Sequence, residues 1–259
     1  MQRVLLVCLL VAAATMAPVA RATVIDWQDG QWDHGSGDQL GYDNGQATGT
    51  TNSGEVTVNW AKFGTATGNH SLLGGAQPTV RTDFNGSATD GALSIGTASD
   101  NNAGTLVNYV TLTVSFTDAV NLLNMLLGDV DDGGAGWEDF IAVEGWLGGS
   151  GGTLRTTTYS INPGPTNRHT AATMFGNPGV RGTNGNVDFD SDEGNVGVTF
   201  DGPVDFIRVY FHQGSGTSGT AQHGVWLRDI EYESVPEPGT LALVGLGFVA
   251  LSLQLRKLH

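Results

Sequence analysis

The sequence predicts an all-β protein: a single β-sandwich of jelly-roll-like build, followed by a C-terminal transmembrane helix. Three observations carry that expectation. Short runs alternate apolar and polar residues, as strands with one buried face do. Glycine supplies 39 of 259 residues and clusters between those runs, where turns and bulges need it. Helical periodicity is nearly absent until one apolar run at 240–255.

Taken in chain order, residues 1–22, "MQRVLLVCLLVAAATMAPVARA", read as a secretory signal peptide. Arg3 is the basic start, Val4 to Met16 the apolar stretch, and Ala20-Arg21-Ala22 the small-x-small cleavage pattern, with the cut before Thr23. The one cysteine, Cys8, lies inside this leader. The mature chain therefore has no disulfide, cysteine nucleophile or thiolate metal site.

Alternation begins weakly at 23–27 and clearly in "EVTVNWA" (55–61), where Val56, Val58 and Trp60 share one face. It continues in "TLVNYVTLTVSF" (105–116), "TLRTTTYSI" (153–161), "NVGVTF" (195–200), "PVDFIRVYFH" (203–212) and "VWLRDIEYE" (225–233), with weaker runs at 79–84, 120–130 and 138–147. The total is about ten strands. The one helical alternative, "TDAVNLLNMLLGDV" (117–130), could line Leu122, Leu123, Leu126 and Leu127 on one face. It follows a strand as a turn would lead into the next, and is read as strand. The stretch 162–186 reads as a long loop. Residues 23–234 are read as one ectodomain, large enough for a sizeable core.

Charge excludes one class of partner. Removing Arg3, Arg21, Arg256 and Lys257 from the 11 basic residues and Glu237 from the 26 acidic ones leaves 7 and 25 in residues 23–234, a net of −18. Nucleic acid is not a partner for such a surface, because backbone binding needs clustered lysine and arginine. An acidic surface suits solubility outside the cell and attracts divalent cations.

Two acidic clusters are candidate calcium sites. "GDVDDGGAGWED" supplies Asp129, Asp131 and Asp132, and "DFDSDEG" supplies Asp188, Asp190 and Asp192. Calcium takes six to eight oxygens, which carboxylates on a flexible loop can provide. The second cluster is not a helix–loop–helix calcium loop: Glu193 stands where that loop requires Gly, and Thr199 where it requires Glu. Solvated turn carboxylates are the plainer reading of both.

Catalytic patterns are poor. "GGSGG" (148–152) fits Gly-x-Ser-x-Gly in letters only, without the strand–turn–helix context of a nucleophile elbow. His34, His70, His169, His212 and His223 have no zinc spacing, although His212 and His223 flank one Gly-rich loop. Carboxylate pairs for glycoside hydrolysis could be drawn from Asp139, Glu144 or Glu231, as in any acid-rich chain. No catalytic residue is assigned. Among the tryptophans, Trp27, Trp60 and Trp226 lie in alternating patterns and are expected in the core. Trp32 and Trp137 lie in polar loop sequence and are the candidates for stacking on sugar rings.

The ending "VPEPGTLALVGLGFVALSLQLRKLH" differs in kind from the rest. Residues 240–255 would span about 24 Å as a helix. Arg256 and Lys257 then give the basic, positive-inside end. Pro236 and Pro238 block extension of that helix back into the ectodomain. Val235-Pro236-Glu237-Pro238-Gly239-Thr240, the apolar run and the basic pair together resemble the PEP-CTERM sorting signal of exported bacterial proteins. Residues 235–259 are assigned to that signal, with its motif at 235–240.

The resemblance implies processing by an exosortase, a transpeptidase-like membrane protease, after a signal peptidase has removed the leader. It implies a transient membrane anchor, then the cell surface or biofilm matrix of a Gram-negative bacterium. The expected function is that of a non-enzymatic surface or exopolysaccharide-matrix protein. The alternatives are a calcium-dependent carbohydrate-binding module for extracellular polysaccharide and, third, a polysaccharide-cleaving enzyme.

Overall fold

A computed structural model describes residues 22–27, 42–43, 46–50, 56–63, 79–81, 92–98, 109–133, 138–161, 169–174, 176–183, 185–186, 191–213 and 222–235. Seventeen strands lie among them. They are β1 (Ala22–Ile25), β2 (Tyr42–Asp43), β3 (Gln46–Thr50), β4 (Val56–Phe63), β5 (Thr79–Arg81) and β6 (Ala92–Ala98). Then come β7 (Tyr109–Asn124), β8 (Leu126–Gly128), β9 (Asp139–Leu147), β10 (Thr153–Arg155), β11 (Thr157–Ile161) and β12 (His169–Met174). The series ends with β13 (Asn177–Gly182), β14 (Val196–Phe200), β15 (Val204–Gln213), β16 (Gln222–Leu227) and β17 (Ile230–Ser234).

Two antiparallel sheets form. The larger, of 11 strands, runs β12-β13-β9-β15-β7-β4-β3-β2, with β10 on β9 and β17 joining β1 to β7. The smaller, of 6 strands, runs β11-β14-β8-β16-β6-β5. From β6 onward, successive strands mostly alternate between the sheets. At buried Met125, whose carbonyl accepts from Val198 N at 2.9 Å, the chain leaves β7 for β8 in the other sheet. The pairings are nested: β7 with β15, β8 with β14 and β9 with β13. That is one long antiparallel ribbon bent across two sheets.

Alternation explains the shared core. Val110, Leu112, Val114 and Phe116 of β7, Ile141 and Val143 of β9, and Ile207, Val209 and Phe211 of β15 point inward from the large sheet. Leu93, Ile95, Leu127, Val196, Val198, Val225 and Leu227 meet them from the small one. Burying such side chains contributes about 1.5–3 kcal/mol each, and without disulfides this core carries the stability. Trp27 and Trp226 are fully buried, as expected.

The strand reading of 117–130 holds, as β7 and β8. The stretch 162–186 differs from expectation, because β12 and β13 form a hairpin there. "HTAATM" offers no large apolar residue at period two, since β12 is an edge strand held by backbone pairing to β13. Strand β6, "ALSIGTA", also falls outside the expected runs, its small residues diluting the pattern. Among the described residues no helix is long and apolar enough to cross a membrane. The expected helix at 240–255 and the leader up to Arg21 lie outside the described residues.

Candidate functional site

Folding brings the first acidic cluster against the end of the second. Asp129, with φ 59°, turns the chain out of β8, and Val130 N then donates to Gly194 O at 3.1 Å. A short 3-10 turn, Asp192–Gly194, sits opposite, capped where Glu193 N donates to Ser191 Oγ at 3.2 Å. Asn195 Nδ2 donates to Asp192 Oδ1 at 2.8 Å. Residues far apart in sequence thus share one turn-against-turn junction at the end of the small sheet.

The inner part of this junction is a reciprocal pair of bonds between Asp131 and Asp139. Asp131 N donates to Asp139 Oδ2 at 3.2 Å, and Asp139 N returns a bond to Asp131 O at 2.9 Å. Both aspartates are 1% exposed. Burial, then the charge of Asp129, pushes the Asp139 carboxyl well above its ordinary range, against the stabilising hydrogen bonds from Asp131. Glu138 alongside is engaged by Arg181 at 3.4 Å. The backbones of Asp132 and Glu138 form an isolated antiparallel β-bridge. Among the described residues, no group of three or more His, Asp or Glu side chains is disposed to hold a metal ion. Asp188 and Asp190 lie outside the described residues.

A raised carboxyl pKa favours the protonated form in the folded state. Its contribution is therefore fully present below the unfolded value and is lost as pH rises through the folded one. Asp139→Asn keeps the acceptor for Asp131 N and removes the charge. The variant is expected to melt higher than the parent at neutral pH and to lose much of the parent's decline between acid and neutral pH. Parallel melting profiles for the two proteins across that range would contradict this account.

A second constellation lies on the face of the large sheet turned away from the core. Since Ile141, Val143, Ile207, Val209 and Phe211 point inward, Glu144 and Trp146 of β9 and Phe206, Arg208 and Tyr210 of β15 point outward. Register aligns them: Phe206 beside Trp146, Arg208 beside Glu144, Tyr210 beside Ala142. Tyr210 Oη donates to Glu144 Oε2 at 3.0 Å, and Arg208 Nη1 lies 3.7 Å from the same oxygen. Arg208 Nη1 donates to Tyr210 Oη at 3.2 Å and Nη2 to Ser150 Oγ at 3.0 Å. Its guanidinium stands 5.1 Å from the Phe206 ring centre and 5.8 Å from that of Tyr210. A planar cation clamped between two rings is preorganised. Burial raises the Tyr210 phenol; at Tyr159 of β11, whose hydroxyl meets Val143 of β9, it pushes the phenol up to about 12.

Ser150 owes its place to a hairpin, not an elbow. Gly148 N and Gly149 N donate to Asp205 Oδ2 and Oδ1, each at 2.8 Å, so "GGSGG" is the β9–β10 turn. Asp139 and Glu144 are five residues apart on one strand and face opposite sides of the sheet, while Glu231 sits on β17. They make no hydrolytic pair. His212 lies on β15 of the large sheet and His223 on β16 of the small one. Trp32 and Trp137 lie outside the described residues. The outward aromatics were legible in principle, as "DFIAVEGWL" and "PVDFIRVYFH" carry large side chains in both phases of the alternation.

The third feature is the last described strand. β17 is paired with β1 on one side, Ala22 opposite Glu233 and Thr23 opposite Tyr232. On the other side Ser234 is opposite Val120 of β7, and Val235 N donates to Ala119 O at 2.9 Å. Pro236 has no N–H to continue the ladder.

No curated protein matches the chain in sequence. Among solved structures it is similar to a carbohydrate-binding module studied for specific mannan recognition, TmCBM27, at 11% identity and TM-score 0.34, over 68% of this chain and 89% of the module. It is also similar to CBM32-3 from a family 31 glycoside hydrolase of Clostridium perfringens, at 13% identity and TM-score 0.27, over 58% of this chain and 81% of that one. Neither score reaches the level of a shared fold. A family model does match the ending, over residues 234–257. Starting where β17 ends, the chain carries the PEP-CTERM protein-sorting motif, the mark of an exported protein sorted to the surface by an exosortase.

Proposed function

We propose that this chain is a non-enzymatic β-sandwich of jelly-roll topology, delivered to the cell surface or exopolysaccharide matrix of a Gram-negative bacterium through a transient C-terminal anchor. The observation that carries the reading is the direct passage from the last strand into the sorting motif at 234. The nested pairs of β7 with β15, β8 with β14 and β9 with β13 support the jelly-roll assignment. The test is the intact mass of the protein recovered from the cell exterior. A C-terminus within 235–239, with Thr23 at the N-terminus, is the expected result. A chain still ending in Arg256, Lys257, Leu258 and His259 would mean a permanent anchor.

A second reading, binding of extracellular polysaccharide, is favoured by the outward face of the large sheet. Trp146, Phe206 and Tyr210 offer apolar area for ring faces, and Glu144, Arg208 and the Tyr210 hydroxyl offer donors and acceptors for sugar hydroxyls. Trp32 and Trp137 stay candidates for the same role. Calcium would have to reshape the Asp129, Asp131 and Asp132 turn, because with Asp192 opposite these side chains are not disposed to hold an ion as they stand. A glycan array probed with and without calcium separates the readings. Binding abolished by Arg208→Ala supports the face, and binding lost on chelation supports the ion. Silence under both conditions removes the lectin-like role.

A further inference from the structure

The sorting motif overlaps the folded sheet. Its first residues, Ser234 and Val235, are held against β7 by the Ser234–Val120 register and the 2.9 Å bond from Val235 N to Ala119 O. The rest of β17 cannot yield easily, because Ile230 and Tyr232 are at most 1% exposed and Tyr232 packs on Phe116 with ring centres 4.9 Å apart. The apolar run begins at Thr240. In sequence, only Pro236, Glu237, Pro238 and Gly239 separate the ladder from the apolar run that the sorting reading assigns to the membrane.

That leash is short. Five residue steps from Val235 to Thr240 span at most about 17 Å. The headgroup layer on one side of a bilayer takes up about 5–7 Å of it. A protease that reads its substrate as an extended strand, flanked by its own backbone, needs several free residues. A sheet paired as far as Val235 leaves a protease no more than the rest of that length.

We propose that the fold gates removal of the tail: the exosortase gains its full substrate only when Ser234 and Val235 fray from β7. The inference rests on the sorting reading above. In the cleavage itself, one peptide C–N bond within the leash breaks. The carbonyl carbon gains a bond to water oxygen or to an acceptor amine, and the tail leaves as an amine that takes up the proton released by that nucleophile. Fraying exposes two more residues, about 7 Å of chain. Its cost is small, since a net backbone hydrogen bond contributes only about 0.5–1.5 kcal/mol. The end of β17 is therefore a closed state that opens often. The gate is also crowded from the other side. The leader cleavage point, Ala22–Thr23, lies in β1 opposite Glu233 and Tyr232, so an uncut leader would leave the sheet beside the tail.

Pulse–chase labelling of the full chain in an exosortase-containing producer tests this, with the processed fraction read by intact mass. Inserting Gly-Ser-Gly-Ser between Ser234 and Val235 leaves the Val-Pro-Glu-Pro sequence intact and lengthens the leash. Processing is expected to speed up several-fold. The opposite change is a lock. Asn121 and Glu233 are direct cross-strand partners, at a spacing a disulfide can bridge, and the mature chain has no other cysteine. The double variant Asn121→Cys, Glu233→Cys is expected to slow processing several-fold under oxidising conditions and to recover the parent rate with reductant. A parent chain that is shortened at a rate indifferent to both changes overturns the gate alone. A parent chain that is never shortened overturns the gate and the sorting reading together.

Discussion

Replacing Gly182 with alanine is expected to destabilise the ectodomain by about 3 kcal/mol or more, near the upper end of overpacking effects. A Cβ built on Gly182 would overlap the backbone of Asp131, at its Cα, carbonyl carbon and oxygen. None of these is a flexible side-chain end that could swing aside. The Asp131 carbonyl also receives the 2.9 Å bond from Asp139 N, so any retreat breaks the pairing at the head of β9. Strand β13 carries Gly182 at its end and lies between β9 and β12, so the hairpin of β12 and β13 would loosen with it. Gly149→Ala is the matched control. Gly149 sits at φ 74° with nothing within 4 Å of its would-be Cβ. It loses only the left-handed backbone preference, about 1–2 kcal/mol. Thermal melts decide: at about 2–4 °C per kcal/mol for a domain of this size, Gly182→Ala should fall clearly below Gly149→Ala. Equal losses would show that the sheet can shift to admit the methyl group.

Trp27→Ala is expected to cost about 3–5 kcal/mol, the usual range for a large core aromatic. Trp27 is 1% exposed and directly follows the edge strand β1. Its indole N–H donates to Arg228 O at 3.0 Å, and its backbone N–H to Asp229 Oδ1 at 3.3 Å. Both partners lie in the turn that leads into β17. Removal of the ring leaves a cavity and takes the indole donor from the Arg228 carbonyl where β1 meets the turn before β17. Strand β1 is a four-residue edge strand paired to β17, with Ile25 buried and Val24 50% exposed, so the indole adds a large share of its side-chain packing. Limited proteolysis should therefore clip Trp27→Ala near residues 22–27 well before the rest of the domain is cut. A variant that melts and resists protease like the parent would show that β1 is not anchored through this indole.

Legibility followed the range of the forces involved. The alternation of Val110, Leu112, Val114 and Phe116 is local and announces β7 with its buried face. Trp27 and Trp226 read correctly as core for the same reason. Strand β12 was not legible, because its pairing with β13 uses backbone groups that every sequence shares. The outward cluster was half legible. Glu144 and Arg208 can be placed on strands from sequence, but their meeting depends on the β9–β15 register.

Local pattern was enough for the all-β class, the acidic composition and the sorting motif at 234–257. Each rests on periodicity, composition or contiguous residues. Tertiary packing alone fixed that Asp129 and Val130 meet Gly194, that Arg208 is clamped by Glu144 and Tyr210, and that the motif begins inside the ladder of β7 and β17. Such contacts bring together residues tens of positions apart. Their energy comes from burial and pairing in a closed sandwich, and no local pattern in the chain records them.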